Sequence, residues 1–183
     1  MPIVPDTKDW TWVLERPCPE CGFDTRTVTR DAVPQLLHDN AAAWQALLGG
    51  HHDALDLRAR PLENRWSTLE YACHVRDVFR LFDQRLHIML DADDPTFPNW
   101  DQDATAVADH YNEQDPTAVA AQLLDAAVGL ADSFSNLTPD DWERTGARSD
   151  GARFSIESFA RYLTHDPVHH LYDVGGLTST AER

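Results

Sequence analysis

Ser67-Thr68-Leu69-Glu70 is a capping box: the serine oxygen covers a free amide of the first helical turn, and the glutamate reaches back to the serine amide. The helix it opens is predicted to run to about Leu90, with Tyr71, Val75, Val78, Phe79, Phe82, Leu86 and Met89 as its apolar stripe. Three further stretches carry the same 3.6-residue period. Asp31 to about Leu48 has Val33, Leu36, Leu37, Trp44 and Leu47, and Gly49-Gly50 is placed to end it in a left-handed conformation. Asp115-Pro116 puts an aspartate at the cap and a proline at the first helical position of a helix to about Asn136. Ser155 opens the last helix, predicted to end at Val174 before Gly175-Gly176. Short helices are expected over Ala104 to Asn112 and near Thr138 to Trp142, and Gly146 to Gly151 reads as a polar loop. Strand signals are confined to a short pair near Arg144 to Phe154. The expected fold is all-α: a four-helix bundle with a long crossover connection and an irregular N-terminal arm.

A chain of 183 residues holds one domain with a sizeable core. The expected division is an arm over residues 1–30, a bundle over 31–177 and a tail over 178–183. Prolines punctuate the arm, and Trp10 and Trp12 alternate with polar residues, so it is expected to pack across the bundle surface. A formal charge of −16 repels nucleic acid and anionic membrane surfaces, and no local basic patch offsets it. No apolar run reaches membrane-spanning length and the N-terminus lacks the pattern of a signal peptide, so a cytoplasmic location is the expectation. Cys18, Cys21 and Cys73 make no disulfide framework. Cys18-Pro19-Glu20-Cys21-Gly22 has the form of a zinc knuckle, but no second Cys-x2-Cys follows. It reads as a redox pair, as half of a metal site, or as two inert cysteines in a turn.

The candidate chemistry lies in His165-Asp166-Pro167-Val168-His169-His170. Histidines four apart stack on one helix face and suit a single metal ion. His165 and His169 form such a pair, and the expected third ligand is His74, which falls inside the apolar stripe of its helix. Cys73, about 100° away, is expected to point elsewhere. Three neutral imidazoles would leave an open position on a divalent ion, zinc first, with nickel or ferrous iron also suited. Pro167 is expected to kink the helix between the two ligands, and a phase shift there makes His170 the rival to His169. Asp77 and Asp173 are candidate acceptors behind the imidazoles. Trp100-Asp101 is a candidate pocket mouth, whereas His51-His52-Asp53 and His110 read as surface residues.

Trp66-Ser67-x2-Glu70-x3-His74, followed far downstream by His165-x3-His169-His170, resembles the DinB-like (damage-inducible) bundle family. Its relatives include mycothiol-dependent maleylpyruvate isomerases and bacillithiol S-transferases. The resemblance covers roughly Asp31 to Leu177 and implies a metal triad at His74, His165 and His169. It also implies a transferase in which the metal activates a low-molecular-weight thiol toward a small electrophilic substrate. The isomerase branch carries a glutamate where this chain has His165, which sets the chain apart from maleylpyruvate isomerisation. The alternative is a non-catalytic module that senses metal or redox state. Expected partners are a small-molecule substrate, a low-molecular-weight thiol and a second copy in a homodimer, with neither nucleic acid nor membrane.

Overall fold

Every helix after the first begins where the sequence supplies a side-chain oxygen for the free amides of a first turn. The computed structural model describes residues 9–50 and 56–178, with side chains as far as 175. Ser67 Oγ accepts from the Glu70 amide at 3.2 Å and the Ser67 amide donates to Glu70 Oε2 at 2.8 Å. That closed box opens α2 (Thr68–Asp91). Asp115 caps α4 (Pro116–Ser135) through the Ala118 amide at 2.8 Å, with Pro116 inside the first turn. Asp101 caps the short α3 (Gln102–Ala108) in the same way, so this helix starts and ends earlier than the predicted Ala104 to Asn112. A brief 3-10 turn over Tyr111–Glu113 fills the remainder.

α1 (Val33–Gly49) stops near the predicted glycines, but Gly50 has φ −66°, so the expected left-handed cap is not what ends it. α5 (Ile156–Thr178) runs on through Gly175 and Gly176, past the predicted stop at Val174. A glycine ends a helix only where the chain turns left-handed. The His51-His52-Asp53 reading lies outside the described residues.

α4 packs between α1 and α2 on one side of the bundle, and α5 packs between them on the other. The four apolar stripes meet around Trp44, Phe79, Leu86, Leu123, Leu130 and Phe159, all essentially inaccessible to water. Cys73, expected to point away, is also fully buried, its thiol near Tyr111 O and Gln114 Oε1. The helix is enclosed on more than one face here, so an apolar stripe underestimates what is covered. Among the described residues no helix is long and apolar enough to cross a membrane.

A three-stranded sheet closes one end. β2 (Thr145–Arg148) and β3 (Arg153–Ser155) pair antiparallel with Gly146 opposite Phe154, as the short pair near Arg144 to Phe154 suggested. β2 takes up Gly146 to Arg148, so the expected polar loop shortens to a turn over residues 149–151, and β1 (Thr96–Phe97) joins β2 in parallel, which nothing local in the sequence announces. Gly146 is small because it must be: a Cβ there would stand 2.9 Å from Met89 Cγ and 3.3 Å from both Phe97 Cε1 and Pro95 O. Met89 can bend away, but the ring and the backbone carbonyl cannot. Gly146→Ala is therefore expected to cost about 1–3 kcal/mol, measured as a lower urea midpoint at unchanged slope.

The arm crosses α5. Its 3-10 turns, Trp10–Leu14, Thr25–Thr27 and Arg30–Ala32, lie before α1, with Val13 and Cys18 buried. Arg161 Nε, on α5, donates to Val28 O at 3.1 Å. The arm packs across the bundle, as its tryptophans suggested.

Candidate metal centre

Neighbouring residues of a helix point about 100° apart, so α5 presents two different faces through His165/His169 and Asp166/His170. Both pairs have partners, and the partners differ. The structure does not bring His74, His165 and His169 to one point. Instead, the ligand atoms of His74, Asp166 and His170 lie within 4.8 Å of one another, and those of Cys18, Cys21, His165 and His169 form a second such group. His74 does face the interior, as its stripe predicted, but the α5 face opposite it is the one carrying Asp166 and His170. The single-residue offset is the physical reason for the different grouping. A carboxylate thus enters the group after all, one residue beyond His165.

Pro167 stands inside a continuous α5 and does not break it. Its carbonyl accepts from Asn40 Nδ2 at 2.8 Å, a tie to α1 that helps hold a turn weakened by the missing N–H.

In the first group, His74 Nε2 lies 3.4 Å from the Asp166 carboxylate, and His170 Nε2 lies 3.7 Å from Asp166 Oδ2. Tetrahedral bonds of 2.0–2.1 Å to nitrogen and oxygen separate neighbouring ligand atoms by roughly 3.4 Å. His170 Nδ1 is 3.0 Å from Asp173 Oδ2, a carboxylate placed to hold a proton on Nδ1 when Nε2 binds a metal. Asp173 thus plays the orienting part expected of it. Asp77 does not, because it is engaged with Arg76 and Tyr111. Burial alone would push the Asp166 carboxyl up, but His74 and His170 outweigh it and hold the group well below the usual carboxylate range. Two atoms here are buried without any hydrogen-bond partner, His74 Nδ1 and Asp166 Oδ1. Two imidazoles, one carboxylate and orphaned polar atoms beside them form a donor set suited to an open divalent site.

This group lines a cavity of about 810 Å³. The Trp100 ring stacks on His74, with centroids 5.3 Å apart and planes 5° from parallel, and Trp66 covers another side at 5.1 Å. Trp100 and Asp101 both line the cavity, as expected of a pocket mouth. His110 is a surface residue at a left-handed φ of 49°. The sequence reading missed Arg85, which also lines the cavity and is buried at 5% exposure. Its Nη2 donates to Pro98 O at 2.7 Å, while its Nε–H has no partner. Burial, and then the neighbouring Arg148 charge, push the guanidinium down to about 10. Arg148 lines the same cavity and is tied to Asp150 and the Tyr162 hydroxyl.

In the second group, Cys18 Sγ is 3.7 Å from His169 Nδ1 and Cys21 Sγ is 3.8 Å from His165 Nε2. Burial, and then the His169 charge, push the His165 imidazole down to about 4, so its ring is neutral at neutral pH. Burial lowers His169 as well. Burial also pushes the Cys21 thiol up to about 11, which is the opposite of a reactive redox cysteine. All three cysteines are free.

The model of the DinB superfamily matches residues 36–174, which reaches into every bundle helix and includes the cavity group. This chain belongs to the DinB superfamily. A similar solved structure is that of YfiT from Bacillus subtilis, described as a probable metal-dependent hydrolase with an unusual four-helix bundle topology. The likeness has a TM-score of 0.72 at 16% identity and covers 84% of this chain and 91% of that one, so it bears on the fold. No curated protein matches the sequence. The DinB match begins after the arm, so Cys18 and Cys21 fall outside it while their histidine partners fall within.

Proposed function

We propose that this DinB protein is a metal-dependent transferase that activates a low-molecular-weight thiol toward a small electrophilic substrate carrying an anionic group. The observation that carries this reading is the open group of His74, Asp166 and His170 facing a cavity that is also lined by the guanidinium-bearing side chains of Arg85 and Arg148. A divalent ion held there, with zinc, nickel and ferrous iron all suited, lowers the pKa of a coordinated thiol or water so that it is a nucleophile at neutral pH. The chain supplies the rest. Asp173 keeps His170 in the tautomer a metal needs, and Trp66 and Trp100 keep water off His74. Arg85 and Arg148 place positive charge where a carboxylate or phosphate would be held by paired N–H donors. The cavity is of the size that holds a thiol cosubstrate and a small electrophile together.

The likeness to YfiT favours a second reading, in which water is the nucleophile and the reaction is hydrolysis. One assay separates the two. Protein loaded with zinc, nickel or iron is given an activated aryl halide bearing a carboxylate, or an ester of comparable size, with and without mycothiol or bacillithiol. Thioether formed from the thiol faster with metal-loaded protein than with stripped protein, with release of halide, supports the transferase. Ester cleavage without thiol supports the hydrolase and overturns the transferase. A metal-loaded protein that does neither is a binding module. In the active case, Arg85→Gln is expected to raise KM for the carboxylate substrate about 10- to 100-fold with metal content unchanged. An uncharged analogue should respond little, and an equal loss for both substrates would remove Arg85 from anion binding.

A further inference from the structure

We propose that Cys18, Cys21, His165 and His169 form a second metal centre, a closed four-coordinate zinc site that locks the arm to α5. The donor set is two thiols and two imidazoles with no place left open, which is the composition of a structural zinc site. Zinc–sulfur bonds of 2.3 Å and zinc–nitrogen bonds of 2.0–2.1 Å at tetrahedral angles put sulfur and nitrogen about 3.6 Å apart. The two sulfur–nitrogen pairs here are at 3.7 and 3.8 Å, and all four ligand atoms lie within 4.8 Å of one another. Soft thiolates select zinc over the hard cations that carboxylates would favour.

Local structure is built around that geometry. Gly22 has φ +75°, which lets the knuckle close with the Gly22 amide on Cys18 O and the Cys18 amide on Phe23 O, both at 2.9 Å. The turn therefore carries both sulfurs to one side. Cys18, His165 and His169 are 1%, 4% and 6% exposed, and the Trp10 ring lies 5.4 and 5.2 Å from the two imidazoles. The far nitrogen of His169 faces carboxylates of Glu20 at 3.7 Å and Asp173 at 3.8 Å, which favour Nδ1 as its ligating atom. One ion would thus join residues 144 and 151 positions apart, a closure no local hydrogen bond supplies.

Elemental analysis and cobalt substitution under reducing conditions test this. The parent is expected to bind two equivalents of metal, and its cobalt form to show near-ultraviolet thiolate-to-cobalt charge transfer with intense tetrahedral visible bands. The C18S/C21S double variant should lose the charge-transfer bands and one equivalent of metal. His74→Leu should lose the other equivalent and keep the bands. Zinc should shield Cys18 and Cys21 from alkylation until a chelator removes it. A cobalt-loaded parent without thiolate bands, or alkylation of both cysteines at the same rate with and without zinc, overturns the proposal. Both of those readouts use the parent protein, so a double variant that fails to fold does not obscure them. They are also independent of catalysis, so an inactive protein with thiolate bands would count against the proposed function alone.

Discussion

Replacing His74 with leucine is expected to empty the cavity site of metal, reduce activity to the metal-free background and abolish the stability that metal at that site confers. His74 is fully buried, yet its Nδ1 has no hydrogen-bond partner, and burying an unpaired polar nitrogen costs about 1–3 kcal/mol. Leucine fills a similar volume among Trp66, Trp100 and His170 and removes that penalty, but it also takes away the Nε2 partner of the Asp166 carboxylate, so the two effects oppose one another. In the parent, metal binding repays the strain by stabilising the folded state, about 2.7 kcal/mol at a free concentration 100 times Kd. With metal the parent should therefore melt higher, and the gap between the two proteins should narrow by about that amount after chelation. Thermal melts of both proteins, with and without metal, check this. A variant that melts well below the stripped parent would mean that the imidazole has a structural role independent of metal. Asp173→Asn, one step further out, should weaken metal affinity by about 10- to 100-fold rather than abolish it.

Phe159→Ala is expected to be the most destabilising single truncation in the region joining sheet and bundle. The ring is 1% exposed and meets three others: Phe82 of α2 at 4.6 Å, Phe154 of β3 at 5.9 Å and Phe97 of β1 at 6.0 Å. The first contact is stacked and the other two are edge-on, arrangements that add to simple burial. Truncation leaves a void bounded by three elements that cannot all move inward. The expected loss is about 3–5 kcal/mol, or on the order of 10 °C in Tm for a chain this long. Phe159→Leu should recover most of it. A loss below about 1 kcal/mol for the alanine variant would show that the sheet end collapses around the gap. Because this cluster also borders Arg85, whose guanidinium stands 5.0 Å from the Phe97 ring, the alanine variant should loosen the anion-facing wall of the cavity as well.

What the sequence discloses follows the range of the interactions involved. Ser67/Glu70 and Asp115/Pro116 act within one turn, so they mark helix starts to within a residue. The stripe on α2 correctly turns His74 inward, because that is a property of one helix and its own solvent face. The parallel pairing of Thr96–Phe97 with Ala147–Arg148 joins residues far apart in sequence and has no local signature. Gly175 and Gly176 were expected to end α5, yet the helix continues through them because nothing there turns the chain left-handed. The candidate site is the sharpest case. Both halves of each group were visible, His74 on α2, two i,i+4 pairs on α5 and one Cys-x2-Cys in the arm, but not which half belongs to which. That choice depends on the rotation of α5 against α2, a matter of about 100° that only tertiary packing decides.

The same offset makes α5 a helix with two reading frames. Asp166/His170 and His165/His169 are one residue out of step, so a one-residue insertion before Thr164 would advance every following side chain by one position. His165 and His169 would then face His74, forming the three-histidine set that the sequence alone suggests, and the arm would be left with Thr164 and Val168 in place of its imidazoles. A one-residue deletion would slip the other way, giving the arm Asp166 and His170 and facing His74 with Pro167 and Leu171. Either slip disarms one group to serve the other. The two groups are therefore bound to a common phase: this stretch of helix tolerates substitution at single positions far better than any change in its length.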